Sequence, residues 1–322
     1  MAAQSTAQSS QAPVVAFVTG TVLNLASSSG QVVQKIDLGH PVYNFALSRD
    51  RKLLVTVALE TGTGGNLGLL NLQTRTQTRL TNKNLYFKTK ELDKGETEVY
   101  DDPQFSPDGR SLAFAIHTDN PGDGNDAIND SGPLAVMNLQ THQVRVLKAT
   151  ENINGEGLCF ANGPMWSPDG KWILFNCEDG AFITDAQGIT LHDLKLGTDQ
   201  NAATSAVSWV GNGCVLYVQS HMNASELDQE RDGIRLFNLR TSKSQLSTVL
   251  PALPKQSLAG LKESSEEAAI MQSGSGVAIE VRGRVWAFPS IKLDFNGYTP
   301  SIAPAAHILG GWHPSTIPHG CE

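Results

Sequence analysis

The sequence has few charged residues, few aromatic residues and no long apolar run. Charged residues make up 17% of the 322 residues and aromatic residues 7%, whereas hydrophobic residues reach 40%. The chain can therefore form a sizeable core under a lightly charged surface. No apolar stretch approaches the ~20 residues of a membrane span, so no span is expected. The net charge of −8 and the lack of a basic run argue against nucleic acid or anionic lipid as the main partner.

Cysteine is scarce, with four residues and no Cys-x-x-Cys pair, so the spacing fits no zinc motif. Four cysteines allow three disulfide pairings. Cys159 and Cys177 flank a predicted hairpin turn and come close together if its strands pair antiparallel. We therefore favour a Cys159–Cys177 bridge, which leaves Cys214 with Cys321. Buried free thiols are the alternative.

The first residues, 1–12, contain mainly Ala, Gln and Ser and lack both a basic start and an apolar core. We therefore do not expect them to form a signal peptide. We expect a flexible tail, as at the N-terminus of a mature secreted protein that carries a starting Met where a leader was removed. A cytosolic protein with a frayed tail is the alternative. Residues 13–322 are predicted to form a single domain.

A short turn motif recurs along the chain. Ser-Pro-Asp-Gly occurs at 106–109 and at 167–170, each time between apolar segments. Pro presets φ at the second turn position, and Asp-Gly closes a hairpin. Degenerate copies of this motif follow Leu47, Trp209 and Met271. A hairpin that returns every ~40–60 residues is typical of propeller blades, and Trp166, Trp209, Trp286 and Trp312 are predicted to pack within the blades.

A second signature marks the other half of each repeat. Asn-Leu-x-Thr occurs at 71–74, 138–141 and 238–241, where an apolar strand enters a polar turn. Each blade should therefore hold four antiparallel strands. The N-terminal segment has too few residues to supply the first strand of its blade. The segment at 307–315 resembles the first strand of a blade whose other strands are missing. We predict an all-β, six-bladed β-propeller in which the C-terminal strand joins the N-terminal blade and so closes the ring.

The residues before the turns carry a family resemblance. Asp102-Pro103-Gln104-Phe105 and Gly163-Pro164-Met165-Trp166 precede the two Ser-Pro-Asp-Gly turns, and Arg79-Leu80-Thr81 looks like an end-of-blade sequence. Together they resemble the TolB-like propeller repeat family, which implies a propeller fold. About a dozen residues precede the first predicted blade, so we do not expect the N-terminal domain that TolB has before its propeller.

The resemblance implies three kinds of function. Similar propellers occur in periplasmic binding proteins of the cell envelope and beside the α/β-hydrolase domain of prolyl-oligopeptidase relatives. They also occur in oligogalacturonate-lyase-like enzymes, which use His and a metal. The sequence has no room for a hydrolase domain and no Gly-x-Ser-x-Gly elbow. The binding protein and the metal-dependent enzyme remain.

The segment at 119–130 partly matches a calcium-binding loop. Its candidate ligands are Asp119, Asp123, Asn125 and Asp130, because Ca²⁺ takes 6–8 oxygen ligands. Pro121 stands at a usual ligand position, and no helices flank the segment. A solvated, turn-rich loop is the alternative reading of the same residues.

Polar loop residues predict a binding face. His117 and His221 follow equivalent strands, and we expect acidic side chains beside them on one face of the propeller. Exposed aromatic residues favour recognition, whereas polar exposed loops without a function are the alternative. No nucleophile or general base can be assigned by spacing. The candidate partner-binding residues are Tyr86, Phe87, His117, Glu178, Asp179, His221, Glu226 and Asp228.

These features favour a non-catalytic binding scaffold over an enzyme. We expect a monomer, periplasmic or secreted, that presents its loops to a protein or peptide at the cell envelope. The alternative is a metal-dependent enzyme of the polysaccharide lyase or hydrolase type that acts at the same face.

Overall fold

The computed structural model describes a set of ranges that spans most of the chain. These are residues 15–19, 21–26, 32–40, 42, 44–59, 65–81, 85–86, 97–119, 128–151, 162–177, 180–194, 202–221, 233–246, 268–273, 276–281, 284–287, 306–308 and 321. Within them the regular structure is β-strand apart from one 3₁₀ turn at Lys148–Thr150. This confirms the all-β prediction. No helix in the described ranges is long and apolar enough to cross a membrane.

The described strands form six antiparallel sheets, numbered I to VI along the chain. Sheet I contains β1 (Val15–Thr19), β2 (Val22–Ala26) and β3 (Val32–Asp37), and sheet II contains β4 (Asn44–Leu47), β5 (Leu53–Leu59), β6 (Gly65–Asn71) and β7 (Gln77–Arg79). Sheet III contains β8 (Thr97–Phe105), β9 (Ser111–Asp119), β10 (Ile128–Asn138) and β11 (Val144–Val146). Sheet IV contains β12 (Asn162–Trp166), β13 (Trp172–Cys177), β14 (Gly180–Asp185) and β15 (Leu191–Asp193). Sheet V contains β16 (Ala202–Val210), β17 (Cys214–His221), β18 (Gly233–Asn238) and β19 (Lys243–Leu246). Sheet VI contains β20 (Ala268–Ser273), β21 (Gly276–Val281) and β22 (Arg284–Ala287), and β23 (Ala306–Ile308) follows it.

Sheets II to VI each place their described strands in chain order from one edge to the other. Sheets II to V have four strands, as the repeat predicts, and three strands of sheet VI are described. Sheet I takes its fourth strand from the far end of the sequence. There β23 pairs antiparallel with β1, with Val15 opposite Ile308 and Phe17 opposite Ala306.

The Ser-Pro-Asp-Gly turns join the first and second strands. In sheet III the Ser106 hydroxyl donates to Asp108 (2.6 Å) and accepts from the Ser111 N–H (2.9 Å). The Gly109 N–H donates to the Ser106 carbonyl (2.8 Å), and Gly109 has a φ of +69°, which glycine adopts at little cost. The turn at Ser167 repeats these bonds. The predicted hairpins are therefore confirmed.

The Asn-Leu-x-Thr turns join the third and fourth strands. The Asn138 side-chain oxygen accepts from the backbone N–H groups of Gln140 and Thr141, each at 2.9 Å. This is an Asx-turn arrangement, in which the side chain satisfies N–H groups that the strands leave behind. Asn71 makes the same pair of bonds in sheet II.

The core lies between the faces of successive sheets. Sheets II and III share a cluster that includes Val55, Leu67, Leu112, Phe114 and Ile116. Sheets I and II, III and IV, and IV and V share equivalent clusters. One edge strand of each sheet also contacts the edge strand of the next, in the order β4, β8, β12, β16, β20 and β23. We call these six the inner strands.

A disulfide joins Cys214, in the second strand of sheet V, to Cys321. The Gly213 N–H also donates to the Cys321 carbonyl at 3.1 Å. This pairing is one of the two that were predicted. Cys177 is disulfide-bonded too, whereas its predicted partner, Cys159, lies outside the described residues.

Candidate functional site

Two neighbouring inner strands carry a β-bulge shortly before the turn serine. In β8 the pairing register shifts around Asp102–Pro103, and Asp102 has a φ of +49°. In β12 it shifts around Gly163–Pro164, and Gly163 has a φ of +57°. Proline has no N–H that could donate a hydrogen bond to the neighbouring strand, so it is well suited to such a bulge. Asp102 is the unusual member, because a positive φ is uncommon for a residue other than glycine.

The Asp102 carboxylate links three sheets. Its Oδ1 accepts from Asn44 Nδ2 at 2.6 Å, and its Oδ2 accepts from the Gly163 N–H at 2.7 Å. Asn44, Asp102 and Gly163 each stand four residues before the turn serine of their own sheet. Equivalent positions of sheets II, III and IV are therefore joined through one carboxylate. Hydrogen bonds to a charged group are about twice as strong as neutral ones.

Asp101 lies beside this link with an altered acidity. Its Oδ1 accepts from Asn44 Nδ2 at 2.9 Å and from the Asp102 N–H at 2.7 Å. Burial and the negative charge of Asp102 raise the pKa of the Asp101 carboxyl to about 6, although the two hydrogen bonds favour the ionised form. Asp101 therefore takes up a proton in mildly acidic solution.

The predicted binding face required His117 to lie in an exposed loop. In the structure His117 lies inside β9 instead. It pairs with Val99 of β8 and is 3% exposed. The difference arises because β9 continues to Asp119, so His117 is two residues inside the strand. Burial lowers the pKa of His117 to about 4, and the charge of Asp102 opposes that shift. The imidazole is therefore neutral at neutral pH.

We call Asn44, Asp101, Asp102, His117 and the Gly163 amide the inner polar cluster. Both oxygens of Asp102 already accept protein hydrogen bonds, so its carboxylate acts as a cross-link between strands. The part of the chain that the structure describes contains no group of three or more His, Cys, Asp or Glu residues able to hold a metal. Within the cluster, Asp101 can take up one proton. The Asp102 carboxylate aligns three inner strands.

A second buried carboxylate fixes the segment before β8. Glu98 is 5% exposed and accepts from the N–H groups of Leu85 (2.5 Å) and Tyr86 (3.0 Å) and from the Tyr100 hydroxyl (2.7 Å). Burial, then the bond to Glu98, raises the pKa of Tyr100. Tyr86 was predicted as an exposed recognition residue, but it is partly buried against the core of sheets II and III. Glu98 anchors its backbone there.

The structure describes the strands around the other predicted binding residues. Glu178 and Asp179 fall between β13 and β14, and Glu226 and Asp228 fall between β17 and β18. His221 is the last residue of β17 and pairs with Ala202. These four acidic residues and Phe87 lie outside the described residues, so their role stays a prediction.

The predicted calcium ligands are divided between strands and an undescribed segment. Asp119 ends β9 opposite Ile128, and Asp130 lies within β10. Asp123 and Asn125 lie outside the described residues. The first and last of the predicted ligands thus belong to two antiparallel strands that pair with each other. Calcium binding stays a prediction.

The sequence interpretation did not find the link between Asn44, Asp102 and Gly163. A signal was present, because Asp-Pro and Gly-Pro precede the two Ser-Pro-Asp-Gly turns at the same distance. They were interpreted as a family resemblance alone. A non-glycine residue at a position that glycine occupies in the next repeat indicates a backbone conformation held by other contacts.

The turns, the four-stranded sheets and the inner strands together define a TolB-like β-propeller fold. No protein-family model matches the sequence, and no curated protein sequence matches it. The fold is supported by likeness to solved structures.

TolB from Acinetobacter baumannii is among these structures. It matches with a TM-score of 0.50 at 18% identity, over 87% of this chain and 64% of the TolB chain. This chain therefore spans less than two thirds of the length of TolB. A chain of a nidogen/laminin complex matches with a TM-score of 0.52 at 11% identity, over 93% of this chain and 99% of the other. An oligogalacturonate lyase in complex with manganese gives 0.39 at 13% identity, over 76% and 73%. At these identities the TolB and nidogen/laminin comparisons show the fold alone.

Proposed function

We propose that the protein is a closed, six-bladed propeller that serves as a non-catalytic, extracytoplasmic binding scaffold for a protein or peptide. Closure is supported by the pairing of β23 with β1 and by the contacts of the inner strands, which run from sheet II to sheet VI and on to β23. A ring of this kind leaves only short, protected sheet edges. It presents the connections between strands on two opposite ends.

The binding end in this proposal holds the connections between the second and third strands. The proposal depends on one observation that recurs in four successive sheets. In each of them the second and third strands stay paired up to the connection that joins them. The last pairs are Leu59–Gly65, Asp119–Ile128, Cys177–Gly180 and Gln219–Gly233. Asp102 joins equivalent positions of sheets II, III and IV, and the Trp209 indole donates to Met165 of sheet IV as the Trp166 indole donates to Gln104 of sheet III, so sheets II to V run in the same sense. The acidic connections then share one end, which suits a partner with a basic surface.

A non-catalytic role fits the inner polar cluster. The Asp102 carboxylate is occupied by Asn44 and Gly163 on separate oxygens, so it is not poised to act on a substrate. A general base would need a free site within hydrogen-bond reach of the reacting proton. The cluster is better explained as a means of aligning three blades.

An extracytoplasmic location fits the disulfide chemistry. Cys214 is bonded to Cys321, and Cys177 is also oxidised. Structural disulfides persist in the periplasm and outside the cell and are rare in the cytosol. A periplasmic or secreted protein is therefore proposed.

The test compares capture by three forms of the immobilised protein from a cell-envelope extract. They are the wild type, a variant with Glu178→Gln, Asp179→Asn, Glu226→Gln and Asp228→Asn, and a control with Asp108→Asn and Asp169→Asn at the opposite end. We expect one captured protein, identified by mass spectrometry, to bind the wild type and the control, and the loop variant to lose it. Binding must then be reproduced with that protein in purified form. Equal capture by the loop variant and the control would contradict the proposed binding end.

The metal-dependent alternative is separated by thermal melting. The wild type is melted with EDTA and with added Ca²⁺ or Mn²⁺, alongside a variant with Asp123→Asn and Asn125→Ala. A binding scaffold without metal gives the same Tm in all conditions. A rise in Tm with Ca²⁺ that the variant lacks would support the predicted calcium site, since a ligand that binds the folded state stabilises it.

A further inference from the structure

The turn between β16 and β17 contains an Asn-Gly pair beside a disulfide. Val210 pairs with Cys214 across this hairpin, so the turn consists of Gly211, Asn212 and Gly213. Asn212 is exposed, whereas Cys214 is buried. Asparagine is a chemically labile residue. A following glycine adds to this lability, because it has no Cβ to hinder the approach of its nitrogen to the asparagine side chain.

Deamidation of such a pair starts at the glycine nitrogen. The backbone nitrogen of Gly213 loses its proton and attacks Cγ of Asn212. A new N–Cγ bond forms, the Cγ–Nδ2 bond breaks, and Nδ2 leaves as ammonia with the proton. Water then opens the succinimide ring, which leaves aspartate or isoaspartate at position 212. Water is the only other reactant, so the rate depends on how freely the Gly213 amide can react.

The Gly213 amide is held by residue 321. Its N–H donates to the Cys321 carbonyl at 3.1 Å. Cys321 is 2% exposed and is bonded through its sulfur to Cys214. A hydrogen-bonded amide releases its proton only when the bond opens, which is the basis of hydrogen-exchange protection. The contact that fixes residue 321 on sheet V therefore also protects the attacking nitrogen.

The disulfide keeps this contact in place. Cys214 and Cys321 are 107 residues apart in sequence, so without the cross-link the ordering of residue 321 carries the entropy cost of closing a long loop. The turn has a separate connection within sheet V, because the Leu239 N–H donates to the Gly213 carbonyl at 2.9 Å. Release of residue 321 therefore frees the Gly213 N–H and leaves the hairpin attached to its own sheet.

We propose that Asn212 is a deamidation site that the Cys214–Cys321 disulfide protects, and that it reacts when a thiol reductant opens the disulfide. In that step the S–S bond breaks to give two cysteine thiols, and the thiols of the reductant are oxidised to a disulfide. Reoxidation does not reverse deamidation, so the modification marks chains whose disulfide has been opened. This site does not depend on the binding function proposed above.

The experiment follows deamidation in the folded, oxidised wild type and in a variant with Cys214→Ala and Cys321→Ala. Both proteins are incubated at mildly alkaline pH, digested and analysed by mass spectrometry for aspartate and isoaspartate at position 212. We expect the variant to deamidate there at least about fivefold faster, which is the factor that corresponds to the loss of one hydrogen bond. Dithiothreitol should accelerate the reaction of the wild type in the same way.

The matched control is the Asn162–Gly163 pair of the same chain. The Gly163 N–H donates to Asp102 Oδ2 at 2.7 Å, a contact that does not involve Cys321. Deamidation at position 162 should therefore proceed at the same rate in both proteins, whereas general unfolding would accelerate both positions. A second variant, Cys214→Val with Cys321→Ala, fills the buried strand position with a good strand former. Equal rates at position 212 in the wild type and the variants, or acceleration at both positions in both variants, overturns the proposal.

Discussion

Gly109 and Gly188 have the same left-handed backbone in different surroundings. Their φ values are +69° and +72°. A Cβ built on Gly109 meets no atom within 4 Å, whereas one built on Gly188 lies 2.6 Å from the Leu147 Cα. Gly188 therefore allows sheet IV to approach sheet III, and its carbonyl accepts from the Ala149 N–H at 3.0 Å. Gly109 serves the turn alone.

This contrast predicts two different costs for the same substitution. Gly109→Ala should lower the free energy of unfolding by about 1 kcal/mol, because only the backbone conformation is disfavoured. Gly188→Ala should lower it by about 2–4 kcal/mol, because the clash with Leu147 adds to the strain. Urea denaturation of both variants beside the wild type measures the difference. Equal losses would show that the close approach of the two sheets is not needed for stability.

Among the elements, the inner strands contain both local hydrogen bonds and hydrogen bonds between residues distant in sequence. The Ser-Pro-Asp-Gly hairpin is local, since Ser106, Asp108 and Ser111 bond within five residues, and it was predicted from the sequence. The Asp102 link joins Asn44, 58 residues earlier, to Gly163, 61 residues later. Local propensity carries no information about such a pairing. The four-stranded sheets could therefore be predicted, whereas the inner polar cluster could not.

The same limit explains the placement of His117 and Tyr86. Both were predicted on the exposed binding face, His117 because it follows a predicted strand and Tyr86 because exposed aromatic residues favour recognition. His117 is enclosed because β9 extends past it, and Tyr86 is held by a bond from its backbone to Glu98. Glu98 itself reads as a surface residue in the sequence, since glutamate is almost never fully buried unless it is paired. Its three donors become visible only in the fold.

The inner polar cluster predicts an unusual dependence of stability on pH. The pKa of Asp101 is about 6 in the folded chain against a usual 3.8, so the stability it contributes is complete below pH 3.8 and is lost as the pH rises to about 6. The pKa of His117 is about 4 against a usual 6.5, so the fold loses stability as the pH falls through that interval. Between about pH 4 and pH 6 the two contributions oppose each other.

Asp101→Asn should separate these two effects. Its amide oxygen can still accept from Asn44 and Asp102, while the charge is removed. We expect the variant to be up to about 3 kcal/mol more stable than the wild type at pH 8, and to lose more stability than the wild type between pH 6.5 and pH 4. Urea denaturation across this range measures both.

Asp102→Asn is the matched comparison for that experiment. Both Asp102 oxygens accept hydrogen bonds, so an amide would place a donor against a donor and cost about 1–3 kcal/mol. A wild type and an Asp101→Asn variant with parallel stability profiles would contradict the altered acidity of Asp101.

For the whole molecule, the contacts between sheets are repeated rather than concentrated in one core. Trp166 Nε1 donates to the Gln104 carbonyl at 3.2 Å, and Trp209 Nε1 donates to the Met165 carbonyl at 2.9 Å. Each tryptophan thus binds the inner strand of the preceding sheet at the corresponding residue. Repeat proteins are stabilised by such contacts between neighbouring repeats. The pairing of β1 with β23 and the Cys214–Cys321 disulfide add connections between parts of the chain that are distant in sequence.

The Cys214–Cys321 disulfide is the covalent connection of the two. It closes a segment of 107 residues that includes sheet VI and β23. In the chain-entropy account, a cross-link over about 100 residues stabilises the fold by up to about 4.7 kcal/mol, and typical losses on removal are about 2–5 kcal/mol. Cys214→Ala with Cys321→Ala should therefore lower the free energy of unfolding by about 2–5 kcal/mol and lower Tm.

Reduction provides the control for this prediction. The double variant leaves the disulfide of Cys177 intact, so a reductant should still lower its Tm, by less than it lowers that of the wild type. Thermal melting of both proteins with and without dithiothreitol measures the two contributions separately. If the double variant melted like the oxidised wild type, the disulfide would not contribute to holding the C-terminal segment against sheet V. The stability of the last sheet and of its junction with sheet I would then depend on strand pairing and packing alone.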